Sequence, residues 1–405
     1  VALVPQGGNT SMVGGATPGA DGGALLLSLR RMNAIRSVSP EDNLLVAEAG
    51  AILSDVHDAA AAAGRRFPLS LGAKGSATVG GLVSTNAGGT QVLRFGAMRA
   101  LVLGLEAVLP DGSLFEGLSA LRKDNRGYDV KQLLIGAEGT LGIVTAASLR
   151  LAPATGSKAT AWIGLASPQA ALALLRRAEE RLGEAVETFE LVPADVLDLV
   201  LARIPGTRRP LAGAYPWNVL IETTSRLGAA PAGEALEAFL GEELEAGRIG
   251  DAFPAASEAQ AEDLWRIRDS IAEAERHAGS SLKHDISVPV AAMPDFIVSA
   301  AEAVRTRFAG AQVIAFGHLG DGNVHFNVQA PRDTAGWAEA KGPEVTALVH
   351  DLVTQAGGSI SAEHGIGQAK RGELARTASP ARLAVLRAVK AALDPAGIMN
   401  PGKLL

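Results

Sequence analysis

Short apolar runs separated by glycine turns dominate the first third of the chain. The runs at 24–29, 43–49, 101–109 and 142–151 alternate or cluster apolar residues as strands do. An alanine-rich segment at 52–63 predicts a helix that ends at Gly64. This part of the chain therefore reads as strand-rich and turn-rich.

Helical periodicity takes over after Pro153. It predicts helices over 170–182, 234–246, 255–277, 293–308, 343–355 and 381–393, with strands over 219–222, 312–316 and 324–328. Strands alternating with paired helices indicate an α+β domain, with helices on one face of an antiparallel sheet. We divide the chain into an N-terminal domain (1–155), a second domain (156–345) and a helical C-terminal segment (346–405).

Composition and charge narrow the function. The chain has 405 residues with a formal net charge of -6, which gives no support to a nucleic-acid partner. It contains 0 Cys, which excludes disulfides, thiolate catalysis and cysteine-ligated metal clusters. No run approaches the roughly 18 apolar residues of a membrane span, and residues 1–15 lack the pattern of a signal peptide. We therefore expect a cytoplasmic protein without a transmembrane segment.

Three glycine-rich turns form the first set of candidate ligand-binding residues. They lie at 5–10 (PQGGNT), 72–81 (GAKGSATVGG) and 85–89 (TNAGG). Adjacent glycines let successive backbone N–H groups converge on one point, and such nests bind phosphate oxygens. A single Gly-Gly pair is more often a plain hairpin turn, but the set together favours a diphosphate attached to a long cofactor. It does not match the G-x-G-x-x-G of a nicotinamide-binding Rossmann site.

The second set of candidate functional residues consists of histidines and carboxylates in two segments rich in glycine. In 317–327 (GHLGDGNVHFN), a tight loop is expected to hold His318, and His325 and Asn327 alternate onto one face of the following strand. Glu363 and His364 lie in the segment AEHGIG. The set His318, His325 and Glu363 offers three metal ligands and leaves a position for substrate. His364 would then be available as a base.

Basic residues near Trp265 are candidates for holding a carboxylate. Arg266 and Arg268 lie on a predicted helix, and Lys283 follows in a strand-like run. Arginine suits bidentate binding of a carboxylate and lysine a second point contact. Arginines on an exposed helix face also pair commonly with neighbouring acidic residues. Spacing alone does not select Arg268 over Arg266.

The motifs combine in a recognisable way over nearly the whole chain. They are the nests, RKDNRGY (122–128), IGAEGTLGIV (135–144), GHLGDGNVH, AEHGIG and the terminal LDP and NPGK (393–395 and 400–403). Together they resemble the FAD-linked D-2-hydroxyacid dehydrogenases, whose FAD domain has the vanillyl-alcohol-oxidase type of fold. Within that family, PLSLGAKGSATVGG and LWRIRDSIAEA are most similar to the D-2-hydroxyglutarate dehydrogenases, and the D-lactate dehydrogenases are near cousins.

The resemblance implies roles for individual residues. It implies Zn²⁺ or a similar divalent metal on His318, His325 and Glu363, with the C-terminal segment returning to the flavin site. It implies that Arg268 and Lys283 bind substrate carboxylates, that Asn327 orients the substrate and that His364 is the catalytic base. This selects Arg268 over Arg266. It also implies FAD, which we expect to be non-covalent, bound by Pro5, Gln6, Gly7, Gly8, Asn9, Thr10, Gly75, Ser76, Gly80, Gly81, Thr85, Asn86, Gly88, Glu138, Gly142, Ile143 and Asn400.

The implied reaction oxidises D-2-hydroxyglutarate to 2-oxoglutarate. Hydride passes from Cα to flavin N5 while His364 removes the hydroxyl proton, and the metal lowers the pKa of that hydroxyl. The family's electron acceptors are an electron-transferring flavoprotein or a quinone. A homodimer is left open as the assembly.

Two departures from the family pattern set expectations of their own. Ala272 stands one turn after Arg268, where the hydroxyglutarate enzymes carry a hydroxyl residue. Family members also have a further N-terminal αβ segment before the Pro5–Thr10 turn, so we expect a partial FAD domain. D-lactate or glycolate oxidation is the alternative within the family. A zinc-dependent hydrolase, with the nests binding a phosphorylated substrate, and a non-catalytic binding protein are the alternatives outside it.

Overall fold

The chain folds as two compact units. The computed structural model describes residues 1–331 and 334–405. Unit 1 comprises Val1–Gln91, Phe95–Ala154 and Glu363–Leu405, and unit 2 comprises Val92–Arg94 and Thr155–Ala362. The division into three segments at 155 and 345 stays a prediction.

The first 154 residues contain the expected strands and helix. The runs at 24–29, 43–49, 101–109 and 142–151 are strands, and 52–63 holds a helix, each within two residues of the predicted bounds. The elements are β1 (Ala2–Gln6), β2 (Ala24–Ser28), β3 (Ile35–Ser39), β4 (Leu44–Glu48), α1 (Leu53–Ala62), β5 (Arg65–Arg66), α2 (Val79–Thr85), α3 (Val92–Phe95), α4 (Met98–Leu101), β6 (Val102–Val108), β7 (Leu114–Gly117), α5 (Lys131–Leu134), β8 (Ile143–Arg150) and β9 (Ala152–Pro153).

The remaining elements alternate long strands with longer helices. They are β10 (Thr155–Leu165), α6 (Pro168–Leu182), β11 (Val186–Pro193), α7 (Ala194–Arg203), β12 (Trp217–Arg226), α8 (Ala232–Glu245), β13 (Asp251–Pro254), α9 (Glu258–Asp269), α10 (Ile271–Ala278), β14 (Ser281–Ser287), α11 (Met293–Arg307), β15 (Gln312–His318), β16 (Asn323–Gln329), α12 (Trp337–Gln355), α13 (Arg371–Thr377) and α14 (Pro380–Leu393), with short 3₁₀ turns at Gly183–Ala185 and Val290–Ala292.

Unit 1 is built on a five-stranded antiparallel sheet of order β3-β4-β8-β6-β7. Its core joins that sheet to α1, α2 and the loops between them. A separate parallel pair, β1 and β2, carries the first glycine turn at the end of β1. The two ends of the chain meet here, because Leu3 N–H donates to the Ile398 carbonyl and Asn400 N–H donates to the Leu3 carbonyl, both at 2.7 Å.

Unit 2 is built on a seven-stranded antiparallel sheet of order β13-β10-β12-β11-β15-β16-β14. One face packs against α6, α8, α11 and α12. The other packs against α7, α9 and α10. Neighbouring residues of a strand divide between the faces: Val219 and Ile221 lie in one core and Leu220 in the other. The expectation of helices on one face only is therefore wrong, because these strands bury both of their sides.

Two local expectations also differ from the structure. The helix predicted over 255–277 is two helices, which meet at Ser270. Asp269 and Ser270 are residue types that compete for backbone hydrogen bonds and so favour helix ends over helix interiors. His318 is the last residue of β15 and not a loop residue, because its strand continues to the tight turn at Asp321 and Gly322.

Candidate functional site

The glycine turns of unit 1 line one open cleft. Of the predicted FAD-binding residues, the cleft is lined by Pro5, Gln6, Gly7, Gly8, Asn9, Thr10, Gly80, Gly81, Thr85, Gly88, Glu138, Gly142 and Ile143. His364 and Glu363 line it too. Segments far apart in sequence thus converge on one concave surface, as a cofactor site requires.

The first two turns approach each other closely. A Cβ placed on Gly7 would lie 2.1 Å from Oγ1 of Thr78, and one on Gly8 would lie 2.0 Å from the carbonyl oxygen of Ser76. A side chain at Gly8 would have to displace the backbone of the second turn, and one at Gly7 would have to displace the Thr78 hydroxyl. Glycine is required here by the close approach of two chain segments.

Four predicted cofactor residues lie outside the lining of the cleft: Gly75, Ser76, Asn86 and Asn400. The Asn86 side chain accepts a hydrogen bond from Arg99 N–H at 2.8 Å, at the start of α4. The Asn400 side chain donates to the carbonyls of Glu138 at 2.6 Å and Gly15 at 2.9 Å. These two amides fix the loops behind the cleft.

Sequence reasoning missed several residues of the cleft, most of them small or apolar. They are Ser11, Gly15, Ala16, Leu29, Leu71, Gly72, Ala73, Ala77, Thr78, Leu82, Ser84, Ala87, Gly139 and Val144. Half of them lie inside the motifs already singled out at 72–81, 85–89 and 135–144, and most of the others lie within a few positions of a predicted residue. Leu29 follows β2 and carried no such signal.

The cleft has a feature that fits a bound polar cofactor. The Thr78 hydroxyl is buried and has no hydrogen-bond partner among the described residues. A buried hydroxyl without a partner costs free energy that a ligand atom can recover. With the glycine turns beside it, this orphaned group makes the cleft chemically suited to FAD.

Glu138 holds the loop that carries His364. Its carboxylate accepts hydrogen bonds from Ile366 N–H and Gly367 N–H, each at 2.7 Å. Burial raises the pKa of Glu138, although these two hydrogen bonds act in the opposite direction. Ser11 donates its hydroxyl to the His364 carbonyl at 3.2 Å, so the loop is fixed at the backbone of the histidine and at residues just after it.

In unit 2, the predicted substrate and metal residues share one face of the sheet. Pairing places His318 of β15 beside Glu190 of β11, His325 of β16 beside Asp285 of β14, and Asn327 beside Lys283. This is the face covered by α9 and α10, from which Arg268 and Glu275 reach the same surface. The strand alternation that places His325 and Asn327 on one face is confirmed, since Phe326 between them lies in the opposite core.

Glu190, which sequence reasoning missed, bridges two of these residues. It is 0% exposed, and its carboxylate lies 2.5 Å from His318 Nδ1 and 2.6 Å from Arg268 Nε. Burial alone would raise the pKa of Glu190, but the charges and hydrogen bonds of Arg268 and His318 outweigh it and hold the pKa at about 2. The carboxylate is therefore ionised at neutral pH.

Glu275 contacts the other two substrate-binding candidates, Asn327 and Lys283, in the way that Glu190 contacts His318 and Arg268. It is buried, accepts a hydrogen bond from the Asn327 amide at 3.0 Å and lies 3.7 Å from Lys283 Nζ. Its second oxygen, Oε1, is buried without a hydrogen-bond partner among the described residues. Each of the two candidate cations is thus paired with a buried carboxylate, and each pair leaves donors or acceptors for a ligand.

The two candidate metal-binding histidines are neighbours with carboxylates behind them. The ring centroids of His318 and His325 are 5.5 Å apart, and Nδ1 of His325 lies 3.9 Å from Asp285 Oδ1. A carboxylate at Nδ1 is the usual companion of a histidine that ligates a metal through Nε2. Glu363 follows directly after Ala362, whose backbone N–H donates to the Asp285 carbonyl at 3.3 Å.

Comparison with known protein families gives two matches that together span most of the chain. Residues 1–117 match the family described as "FAD binding domain", and residues 155–404 match "FAD linked oxidases, C-terminal domain". The predicted resemblance is confirmed.

Among curated proteins, the chain is similar along its whole length to D-2-hydroxyglutarate dehydrogenases. It is 41% identical to the mitochondrial enzyme of Arabidopsis thaliana, covering 100% of this chain and 71% of the relative. It is 39% identical to the mitochondrial enzyme of Bos taurus, covering 72% of that protein, and 39% identical to the enzyme of Xanthomonas citri pv. viticola, covering 84%. The hydrolase and the non-catalytic alternatives are not retained, because these relatives are named as dehydrogenases.

Among solved structures, the chain resembles alkyldihydroxyacetonephosphate synthase. Two crystal forms match with TM-scores of 0.69 and 0.70, each at 16% identity and covering 99% of this chain and 71% and 72% of the other. At that identity the likeness concerns the fold alone. It confirms the predicted vanillyl-alcohol-oxidase type of FAD-binding fold, with mixed helices and antiparallel sheets.

The expectation of a cytoplasmic protein is wrong. The relatives from Arabidopsis thaliana, Bos taurus and Rattus norvegicus are named mitochondrial. Targeting is encoded in leader segments and not in the folded domains, so composition was a poor guide. Within the described residues, no helix combines the length and hydropathy needed to cross a bilayer.

Proposed function

Because the chain belongs to the FAD-linked oxidase family and is an FAD-dependent hydroxyacid dehydrogenase, we propose that it oxidises D-2-hydroxyglutarate to 2-oxoglutarate. The observation that carries the substrate assignment is the shared sheet face of unit 2. It brings Arg268, Lys283 and Asn327 beside the histidine pair. Two cations and an amide next to candidate metal ligands suit a dicarboxylate whose α-hydroxyl is to be activated.

The cleft of unit 1 is the proposed FAD site. The Gly7–Gly8 backbone and the orphaned Thr78 hydroxyl would hold polar groups of the cofactor. When bound there, FAD supplies the hydride-accepting ring. We propose an electron-transferring flavoprotein or a quinone as the acceptor of the electrons.

We further propose a divalent metal, Zn²⁺ or similar, on His318, His325 and Glu363. Each of the three offers a ligand atom of a type that zinc accepts. When bound, the metal supplies Lewis acidity that lowers the pKa of the substrate hydroxyl. Ala362 is hydrogen-bonded to β14 at Asp285, which pairs with His325. This contact restrains the position of the next residue, Glu363.

Four side chains of the protein would bind the substrate and accept its proton. Arg268 has both Nη groups to offer a carboxylate, since Nε is bound to Glu190. Lys283 would neutralise the second carboxylate, and Asn327, held by Glu275, would orient the substrate. His364, at the wall of the cleft, would accept the hydroxyl proton.

D-lactate is the second candidate substrate, and Ala272 favours it. The methyl group of Ala272 cannot donate a hydrogen bond to a distal carboxylate, and it lies exposed on α10. A substrate without a distal carboxylate, such as D-lactate, would lose no hydrogen bond at this position.

Anaerobic spectra of the FAD-loaded protein would test both proposals. D-2-hydroxyglutarate should bleach the flavin faster than D-lactate or glycolate at equal concentration, and bleaching by D-lactate alone would move the substrate assignment. Removal of a general base typically lowers the rate by a factor of about 10² to 10⁴, so His364→Gln should retain FAD and bleach slowly. The exposed His277 provides the control, and His277→Gln should behave as the wild type. Chelation followed by Zn²⁺ addition would test metal dependence.

A further inference from the structure

The buried carboxylate of Glu190 is shared between two partners, His318 and Arg268. It lies on β11 and is 0% exposed, and each of its oxygens has a different partner. Oε1 faces His318 Nδ1 at 2.5 Å, and Oε2 accepts from Arg268 Nε at 2.6 Å. An ion of this kind is costly to bury, so both partners are needed to keep it.

The partners reach Glu190 from different elements. His318 ends β15, which pairs with β11, whereas Arg268 lies near the end of α9 on the covered face of the sheet. Arg268 also stacks on Phe316, with its guanidinium carbon 5.2 Å from the ring centroid. Among the described residues, Glu190 is the hydrogen-bond acceptor that Arg268 uses, so the direction of its two Nη groups depends on this contact.

We propose that Glu190 is a positioning residue that couples the metal site to the substrate-carboxylate site. Its Oε1 holds the His318 imidazole by Nδ1, which makes Nε2 the atom presented to a metal. Its Oε2 holds Arg268 by Nε, which presents the Nη pair to a substrate carboxylate. The inference rests on the proposed function and adds to it a residue that contacts neither ligand.

The chemistry of the carboxylate explains why no neutral residue can replace it. Both partners turn an N–H toward Glu190, and a carboxylate offers an acceptor to each. A glutamine amide offers one acceptor oxygen and one donor nitrogen. If the amide nitrogen faces His318, it forces Nδ1 to accept and places the proton on Nε2, where a metal must bind. If it faces Arg268, two donors meet and the guanidinium must turn away.

Metal titration and kinetics on the same variants would test the coupling. The FAD-loaded protein is stripped of metal with a chelator and titrated with Zn²⁺ alone, and then KM and kcat are measured for D-2-hydroxyglutarate at saturating Zn²⁺. Outer carboxylates of metal sites typically change metal affinity by about 10- to 100-fold. Glu190→Gln should show that loss, a raised KM, or both, whereas Glu190→Asp, which keeps the charge, should recover part of it.

Glu187 on the same strand provides a matched control. It is also 0% exposed and pairs with Arg94 at 3.2 Å. Glu187→Gln should keep the Zn²⁺ affinity and the KM of the wild type. Histidine-selective ¹⁵N spectra of the Zn²⁺-loaded protein supply a direct signature, since His318 should be protonated at Nδ1 in the wild type.

The outcomes separate this inference from the proposed function. Wild-type Zn²⁺ affinity and KM in Glu190→Gln would overturn the coupling, and so would equal losses in Glu187→Gln. A wild-type protein that turns over D-2-hydroxyglutarate without binding Zn²⁺ would overturn the coupling and leave the substrate proposal standing. Zn²⁺ binding that weakens in Glu190→Gln, in a protein that does not oxidise D-2-hydroxyglutarate, would support the metal arm and reject the substrate.

Discussion

Glu138 and Gly367 are joined by a hydrogen bond of 2.7 Å that spans 229 positions of the sequence. The same carboxylate binds Ile366 N–H, so the segment just after His364 is fixed to a residue that also lines the cleft. A residue expected to contact FAD thus has its carboxylate committed to holding the loop of the proposed base.

Glu138→Gln should slow flavin reduction more than it reduces FAD content. Glutamine has one acceptor oxygen, so at least one backbone N–H of the loop loses its partner. Hydrogen bonds to charged groups are worth about 1.5–3 kcal/mol, which corresponds to a rate loss of roughly tenfold or more if the loop moves. Stopped-flow bleaching and FAD stoichiometry would measure the two effects. The exposed Glu116 gives the control Glu116→Gln, and loss of FAD with an unchanged rate would contradict the prediction.

Gly8→Ala should abolish FAD retention. The added Cβ would lie 2.0 Å from the backbone carbonyl oxygen of Ser76, so the two glycine turns would have to separate. FAD content after gel filtration is the measurement. Gly372→Ala in the same unit is the control, since a Cβ there meets nothing within 4 Å. Equal FAD content in both variants would show that the turns do not form the cofactor site.

Arg268→Lys should raise the KM for D-2-hydroxyglutarate by about tenfold or more, because lysine lacks the planar fork that lets Nε bind Glu190 while the two Nη groups face a substrate carboxylate. Arg266, two residues earlier, donates to the Pro205 carbonyl at 2.7 Å instead. Arg266→Lys should therefore leave KM near the wild-type value. Steady-state kinetics of the pair would decide the choice that spacing left open.

His57 should make unit 1 less stable as the pH falls below 6.5. Burial lowers the pKa of His57 from its ordinary value of 6.5, and Nε2 lies 2.9 Å from the Leu69 carbonyl. The folded state therefore favours the neutral ring, while the unfolded chain takes up a proton, so stability is present above pH 6.5 and is lost below it. His57→Gln keeps a donor for Leu69 and removes the titration. Urea unfolding at pH 7.5 and 5.5 should show a smaller difference for this variant.

Asp394→Asn should loosen the C-terminus at neutral pH. Asp394 accepts hydrogen bonds from Lys390 Nζ at 2.5 Å and from Met399 N–H at 2.8 Å. Burial opposes ionisation, but these contacts together lower the pKa of Asp394 below 3.8. The contribution is present above pH 3.8 and lost as the pH falls through the lowered pKa. The substitution should cost about 1.5–3 kcal/mol at pH 7, and the gap from the wild type should narrow near pH 3.5 in urea unfolding.

Short-range sequence patterns predicted those parts of the site that are formed by residues close together in the sequence. Strand alternation placed His325 with Asn327, and the glycine pairs located the cleft. Glu190 was missed because its partner Arg268 lies 78 positions away, and no short-range pattern connects them. One signal was present: the strand VETFELVP contains two carboxylates, Glu187 and Glu190, and a carboxylate in a buried strand is rarely tolerated without a partner.

The expectation of helices on one face failed for a related reason. A strand buried on both sides reads as a near-continuous apolar run, and the sequence does not say which helix covers which side. The break at Ser270 likewise depends on two residue types whose preference for helix ends is weak and easily overruled.

The pairing of Leu3 with Ile398 and Asn400 has a consequence for synthesis on the ribosome. Unit 2 is almost continuous in sequence and can begin to fold as soon as residue 362 has emerged. The strand that carries the first glycine turn must wait for residues 398–400. Cofactor loading therefore becomes a late event that must follow the synthesis of residues 398–400, and a nonsense codon between positions 363 and 398 would remove both partners of Leu3 from a chain whose unit 2 is intact.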